Sequence, residues 1–218
     1  MEYIAILDYE HLDNGLFLTK FARAVSRHHK PGIILHGDSA YTERLMQTGM
    51  FREDARIRAT KDLNHRLIAL LADNGVSAIG LNANQRSLVS LKDDSLIVNE
   101  KRFNALHSTP LLVMSNLVQD MNSEKNDKNI ISTPLTKLAS ALRNQLEIKR
   151  IFVFSMNENE DTIQSVFSEN LKWTNFETEL RKEFLPGIFQ DEDELKITLT
   201  TAEKFGEYPE KTGGILIN

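Results

Sequence analysis

Pro31-Gly32-Ile33-Ile34-Leu35-His36-Gly37-Asp38-Ser39-Ala40-Tyr41-Thr42-Glu43-Arg44-Leu45-Met46-Gln47-Thr48-Gly49 is the stretch that decides the fold. Ile33, Ile34 and Leu35 form a short apolar run opened by Pro31-Gly32, the pattern of a strand buried on both faces. The run ends in His36-Gly37-Asp38-Ser39, and Asp38 or Ser39 can cap a helix from about Ala40 to Thr48 that stops at Gly49. In α/β folds a buried strand passing through a glycine turn into a helix is where anionic groups are received, because free backbone N–H groups point outward there. Taken alone, the stretch reads first as a plain βα turn with a good cap.

Working outward, the same alternation recurs. Tyr3 to Leu7 reads as a first strand, and Asp13 or Asn14 caps a helix from about Gly15 to His29 with Phe17, Phe21, Ala24 and Val25 on one face. Met50 to Ala59 is charged and reads as irregular. Thr60 to Asp73 repeats Leu63, Leu67, Leu70 and Leu71 at helical period, and Asn74-Gly75 closes it. Val76 to Leu81 reads as a buried strand, residues 86 to 99 as a hairpin, Arg102 to His107 as a short helix, and Leu111 to Met114 after Pro110 as another buried strand. Residues 120 to 129 are polar apart from Met121 and mark a loop or linker. Beyond it, Pro134 opens a helix, Ile151 to Phe154 is a strand, Thr162 to Phe167 suits a hairpin strand, and Thr174 with Glu177 forms a capping box for a helix to Phe184. Residues 191 to 205 fit either strand or helix, and the acidic first turn with Gly206 at the end favours helix. Gly214 to Ile217 is a terminal strand. Strands alternating with helices predict an α/β fold: a three-layer α/β/α sandwich with a mainly parallel central sheet of about eight strands. The expected organisation is one domain over 1–218, with an N-lobe of about 1–122 and a C-lobe of about 129–218.

Composition narrows the function. The chain has 218 residues, 41% hydrophobic and 26% charged, which suits a globular domain. A net charge of −5 without a local basic cluster speaks against a nucleic-acid partner. Cysteine is absent, which removes disulfides, thiolate nucleophiles and cysteine metal sites. No run reaches the roughly 20 apolar residues of a membrane span. The first residues read straight into a strand without a basic leader, so a cytoplasmic location is expected. His28-His29 reads as a helix-end pair and His36 as a core histidine, because neither has a partner at metal spacing, and no metal site is expected. Asp93-Asp94 and Asp191 to Glu194 read as solvated faces. Ser39 lacks a nucleophile elbow, and no Walker A sequence occurs.

The order Ile33-Ile34-Leu35-His36-Gly37, then Asn64 in a helix leading to Ala78-Ile79-Gly80-Leu81, then Pro110 before an apolar strand, closely resembles the amino acid kinase family, the acetylglutamate kinases in particular. The helix from Pro134, the strand Ile151 to Phe154, Glu194-Leu195-Lys196 and Gly214-Ile215 extend the resemblance over nearly the whole chain. It implies ATP-dependent phosphorylation of an N-acyl-glutamate carboxylate, an arginine-biosynthesis reaction, with ATP and Mg²⁺ if the chain is active and neither otherwise. It also implies an acyl-amino acid or amino acid as ligand and a homodimer paired through its N-terminal lobes. The matching positions make Gly37, Asp38, Arg58, Asn64 and Asn129 the substrate-binding residues, Lys196 the catalytic residue, and Lys196 with Ser155 the nucleotide-binding ones. The departures fall on the chemistry. Leu7-Asp8-Tyr9-Glu10 replaces the family's Lys-Gly-Gly, His36-Gly37-Asp38-Ser39 replaces His-Gly-Gly-Gly, and Asn129-Ile130-Ile131-Ser132-Thr133 lacks the family's ordering Asp. Two readings result: a carboxyl-acceptor kinase with altered machinery, or a pseudokinase that keeps the pocket and transfers nothing. The losses together favour the second.

Overall fold

The structure, a computed structural model, describes residues 1–28, 30–106, 111–122, 130–167, 170–210 and 214–218. The N-terminal half runs β1 (Tyr3–Leu7), α1 (Tyr9–Leu12), α2 (Gly15–His28), β2 (Gly32–His36), α3 (Tyr41–Gln47), α4 (Arg52–Asp73), β3 (Ile79–Asn82), β4 (Val89–Lys92), β5 (Ser95–Val98), α5 (Glu100–Asn104), β6 (Leu111–Ser115) and β7 (Leu117–Asp120). The C-terminal half runs β8 (Ile130–Ser132), α6 (Leu135–Gln145), β9 (Arg150–Phe154), α7 (Glu160–Val166), β10 (Asn170–Leu171), α8 (Thr178–Phe184), β11 (Ile197–Thr200), α9 (Ala202–Phe205) and β12 (Ile215–Ile217).

Eight strands form one sheet in the order β10-β12-β11-β9-β1-β2-β6-β3, and only the β11–β12 pair is antiparallel. This is the expected α/β sandwich. The opening stretch lies at its centre: β2 pairs with β1 on one edge and β6 on the other, and all five of its residues are buried. Period-two alternation divides the strands between two cores. Ile4, Ile6, Ile33, Leu35, Leu112 and Met114 face α6 and the small sheet β5-β4-β7-β8. Tyr3, Ala5, Leu7, Ile34, Phe152 and Phe154 face α2, α4 and α9. Each fully buried side chain of this kind contributes about 1.5–3 kcal/mol of transfer free energy, so a doubly covered central strand needs apolar residues throughout.

Several local expectations are corrected. Met50 to Ala59 is not irregular: α4 is one 22-residue helix from Arg52, with Glu53 and Asp54 in its first turn and Ala55 and Ala59 packed with Leu45 of α3. β3 begins at Ile79 rather than Val76, and it is a partly exposed edge strand. Residues 160–166 are helical, started by Asn159, whose side chain accepts from the Thr162 N–H. The Thr174–Glu177 box does not form; Thr174 sits in a 3₁₀ turn, and Glu177 is the N-cap residue of α8. Residues 197–200 form a strand rather than a helix, because β9 and β12 satisfy its backbone on both edges and all four side chains are buried. His29, Pro110 and Asn129 lie outside the described residues.

Candidate functional site

Parallel α/β sheets receive ligands outside the carboxyl ends of their strands. Here those ends carry buried polar residues: Asp8 after β1, His36 and Ser39 at the end of β2, Asn116 after β6 and Ser155 after β9, with Thr133 after β8 of the small sheet.

A clamp organises the ring. The Asn64 side-chain amide, projecting from α4, donates toward the Val113 carbonyl (3.0 Å), the Leu81 carbonyl (3.2 Å) and His36 Nε2 (3.0 Å). It thereby ties β2, β3 and β6 together. A side chain on Gly80 would overlap Asn64 Oδ1, so glycine there is what lets the amide reach the strands. His36 Nδ1 lies 2.9 Å from the Gly37 carbonyl, an acceptor that fixes the proton on Nδ1 and leaves Nε2 to accept from Asn64. Burial holds His36 neutral, with its pKa pushed down to about 4 against the opposing pull of the Gly37 carbonyl. On the other side, Asn116 donates to Ser132 Oγ (2.9 Å) and the Thr133 carbonyl (2.8 Å), anchoring the end of β8 beside Gly37.

The charges at this end are answered internally. Asp38 pairs with Arg56 of α4 (3.4 Å) and accepts from Thr42 Oγ1 (3.2 Å). Asp13, from the turn before α2, accepts the Ala40 N–H at 2.7 Å and faces Arg44 at 3.7 Å, so a carboxylate of the chain itself takes a backbone donor of this loop. The cap of α2 is Asn14, whose side chain accepts from the Phe17 N–H. Lys20 is paired with Glu158. Asp8 is almost wholly buried. Burial foremost, and then the Glu10 carboxylate, push its pKa up to about 7, although the Tyr9 and Ile188 N–H groups favour the anion. The Tyr9 hydroxyl is raised by burial and then by the carboxylates of Asp13, Glu43, Asp38 and Glu10. His11, buried against Phe17, is lowered by burial and stays neutral.

Of the residues marked in the sequence, Gly37, Asp38, Asn64 and Ser155 meet at this end of the sheet. The Ser155 hydroxyl is engaged by the Asn157 N–H at 3.1 Å. Arg58 does not join them: it lies on the outer side of α4, with 61% of its side chain exposed, facing Asp62. Arg56, a residue that the sequence did not single out, holds the position beside Asp38. With α4 continuous, Arg56, Thr60 and Asn64 follow at i, i+4 and i+8, the spacing that would have revealed it. Lys196 also stands apart. It precedes β11, level with Arg150 and Gly32, five registers from Gly37 and thus roughly 16 Å away along the strand direction alone. Asn129 is outside the described residues. Among the described residues no group of three or more His, Asp or Glu could hold a metal ion. No helix among them is long and apolar enough to cross a membrane. Asp8 and Asp38 place two acids at this end of the sheet, where a transferred phosphoryl group needs positive partners.

No protein-family model matches the chain, and no curated protein matches it by sequence. Solved structures do. Isopentenyl phosphate kinase superposes with a TM-score of 0.65 at 12% identity, covering 100% of both chains. Aspartate kinase from Synechocystis gives a TM-score of 0.67 at 9% identity, covering 100% of this chain and 40% of its own. E. coli aspartokinase III in complex with aspartate and ADP gives 0.63 at 8% identity, over 64% of its length. These neighbours are amino acid kinase family members, and the chain has their fold.

Proposed function

We propose that this chain is a pseudokinase: a small-molecule-binding protein on the amino acid kinase fold that recognises an amino acid or acyl-amino acid and transfers no phosphate at a useful rate. The observation that carries this reading is Asp8, a buried carboxyl at the end of β1 where a transferring site needs a cation. A transferred phosphoryl group spreads charge over three oxygens and needs positive partners on several sides. Losing one such partner typically costs about 3–4 kcal/mol of barrier, and here Lys196 is remote as well. The retained groups suit a smaller ligand. Arg56 can exchange Asp38 for a ligand carboxylate, a charge-assisted contact of fixed geometry. Asp38, released from Arg56 in that exchange, is then a carboxylate that can receive an ammonium group.

The test is a thermal-shift series with aspartate, arginine, N-acetylglutamate, N-succinylglutamate and ATP–Mg²⁺, together with hydroxylamine trapping of acyl phosphate. The expected result is a rise in Tm with a carboxylate ligand, by mass action, and hydroxamate at background. A second reading, an ATP-dependent carboxyl-acceptor kinase of the acetylglutamate kinase type, draws support from the end-to-end match with isopentenyl phosphate kinase. Turnover near roughly 1 s⁻¹, an ordinary kinase rate, would establish it in place of the first.

A further inference from the structure

The eight-stranded sheet ends at β3, and this edge is open: Ile79 is 40% exposed, and Gly80 is exposed as well. Two contacts show which backbone groups face outward. The Ala83 N–H donates to the Ser115 carbonyl at 3.4 Å, toward β6, and the Asn82 N–H donates to Gln85 Oε1 at 3.0 Å, on the open side. Successive N–H groups alternate between the two edges of a strand. Gly80, two residues before Asn82, therefore turns its N–H and carbonyl to the open side. Beside this edge lies a groove of about 850 Å³. Ile79 and Leu81 of β3 line it with Leu88 and Leu106, and the exposed side chains of Arg86 and Arg102 stand among them. Among the described residues neither guanidinium has an ion-pair partner. The next residues after Leu106, His107-Ser108-Thr109-Pro110, lie outside the described residues and bring no acidic side chain.

We propose that the β3 edge is a docking site for an extended segment of a partner protein that carries both apolar and acidic residues. The segment adds a strand beside β3 and hydrogen-bonds the backbone of Gly80, while its alternate side chains enter the groove. Its carboxylates meet Arg86 and Arg102, whose planar guanidinium groups suit paired oxygens. Charge selects this occupant over a second copy of the chain. A two-fold contact between copies sets the same patch against itself, which would bring both arginines of each copy to one apolar interface. An open edge needs protection from such self-pairing, and unpaired cations beside it supply that protection. The same cations attract an acidic strand.

The experiment titrates the full chain with the synthetic peptide Glu-Thr-Val-Thr-Val-Thr-Glu, in which glutamate and valine share one face of a strand. Calorimetry and amide chemical shifts follow the binding. Saturable binding is expected, with shifts centred on residues 79–82, 85–88 and 102–106, and it should weaken roughly tenfold or more when lysine replaces glutamate in the peptide. The variant Arg86→Asn/Arg102→Ala removes two exposed cations, with asparagine chosen because it tolerates the φ of +52° at position 86. Its fold should persist by circular dichroism, and its affinity should fall by roughly tenfold or more, as for lost charge-assisted hydrogen bonds. Ile79→Lys, which sets a charge at the groove, should abolish binding, and Arg56→Ala should leave it unchanged. Sedimentation velocity tests the competing occupant, and the same species is expected for the unaltered chain and Ile79→Lys. A dimer that Ile79→Lys dissociates would assign the edge to a second copy and overturn the proposal. So would equal binding in the arginine double variant, shifts centred away from β3, or no saturable binding at millimolar peptide.

Discussion

The two ends of one parallel sheet differ in how their charges are matched. At the carboxyl ends, where this architecture usually receives anions, the chain has supplied its own: Asp13 on the Ala40 amide, Asp38 on Arg56 and Glu158 on Lys20. At the amino ends, Lys149, Arg150 and Lys196 line one cavity, with Arg150 stacked over Tyr208, and among the described residues no carboxylate lines it. Strand direction alone does not decide where an anion binds. The balance of side-chain charge can cancel the preference that the strand ends would otherwise set.

The strongest way to break this picture is to remove the clamp that shapes the carboxyl end. Asn64→Ala leaves His36 Nε2 and the Leu81 and Val113 carbonyls without their donor in a dry interior. A loss of about 3 kcal/mol in urea unfolding is expected, as for other buried polar groups deprived of partners. A loss below about 1 kcal/mol would mean that water replaces the amide and that this end is open.

Acid should act on the same clamp. His36 has its pKa lowered to about 4 in the folded chain and titrates near 6.5 when unfolded. Between those values the unfolded chain binds the extra proton, so stability is full above about pH 6.5 and falls as pH drops toward 4. The expected loss by pH 4.5 is about 2 kcal/mol, and the ring resonances of His36 should not move between pH 7.5 and 5.5. A ring titrating near 6.5 would show it to be solvated.

Asp8 runs in the opposite direction. Its pKa is raised to about 7 in the folded state, so between about pH 4 and 7 the folded chain holds the extra proton, and stability falls as pH rises through that window. Asp8→Asn should therefore stabilise the chain at pH 8 by about 1–2 kcal/mol and have little effect at pH 4.5. An equal effect at both values would remove the reading of Asp8 as a neutralised acid.

Much of this architecture was legible in the sequence, and the failures have physical causes. Tyr3 to Leu7, Ile33 to Leu35 and Ile151 to Phe154 are buried on both faces, so only an apolar run satisfies them and the run reveals them. Ile197-Thr198-Leu199-Thr200 was misread because Leu195, Leu199, Ala202 and Phe205 also fall at helical spacing. The backbone partners that settle it lie on β9 and β12, 46 residues before in the pair Thr198–Phe152 and 16 after in the pair Leu199–Ile215. Arg52 to Ala59 looked irregular because alanine, not leucine, is the residue it buries. Gly37 and Asp38 stand at the end of β2, where the strand–turn–helix pattern puts them, and Asn64, which the family resemblance singles out, reaches His36 from α4. Arg58 and Lys196 stand apart from them because α4 begins at Arg52 and residues 197–200 are a strand.

That last link gives the smallest and most discriminating effect. If α4 began at Thr60, Arg58 would belong to a loop free to turn toward Gly37. In the continuous helix it is exposed beside Asp62, and Arg56 faces Asp38. Arg58→Ala should therefore change stability by less than about 0.5 kcal/mol. Arg56→Ala breaks a partly screened pair and should cost about 1 kcal/mol. The contrast in ligand response is sharper than the contrast in stability. Any carboxylate ligand that raises Tm in the unaltered chain should lose that effect in Arg56→Ala and keep it in Arg58→Ala, because only Arg56 can exchange its internal carboxylate for one on the ligand. The reverse pattern would return the carboxylate contact to Arg58 and place the binding site on the outer side of α4, away from the strand ends.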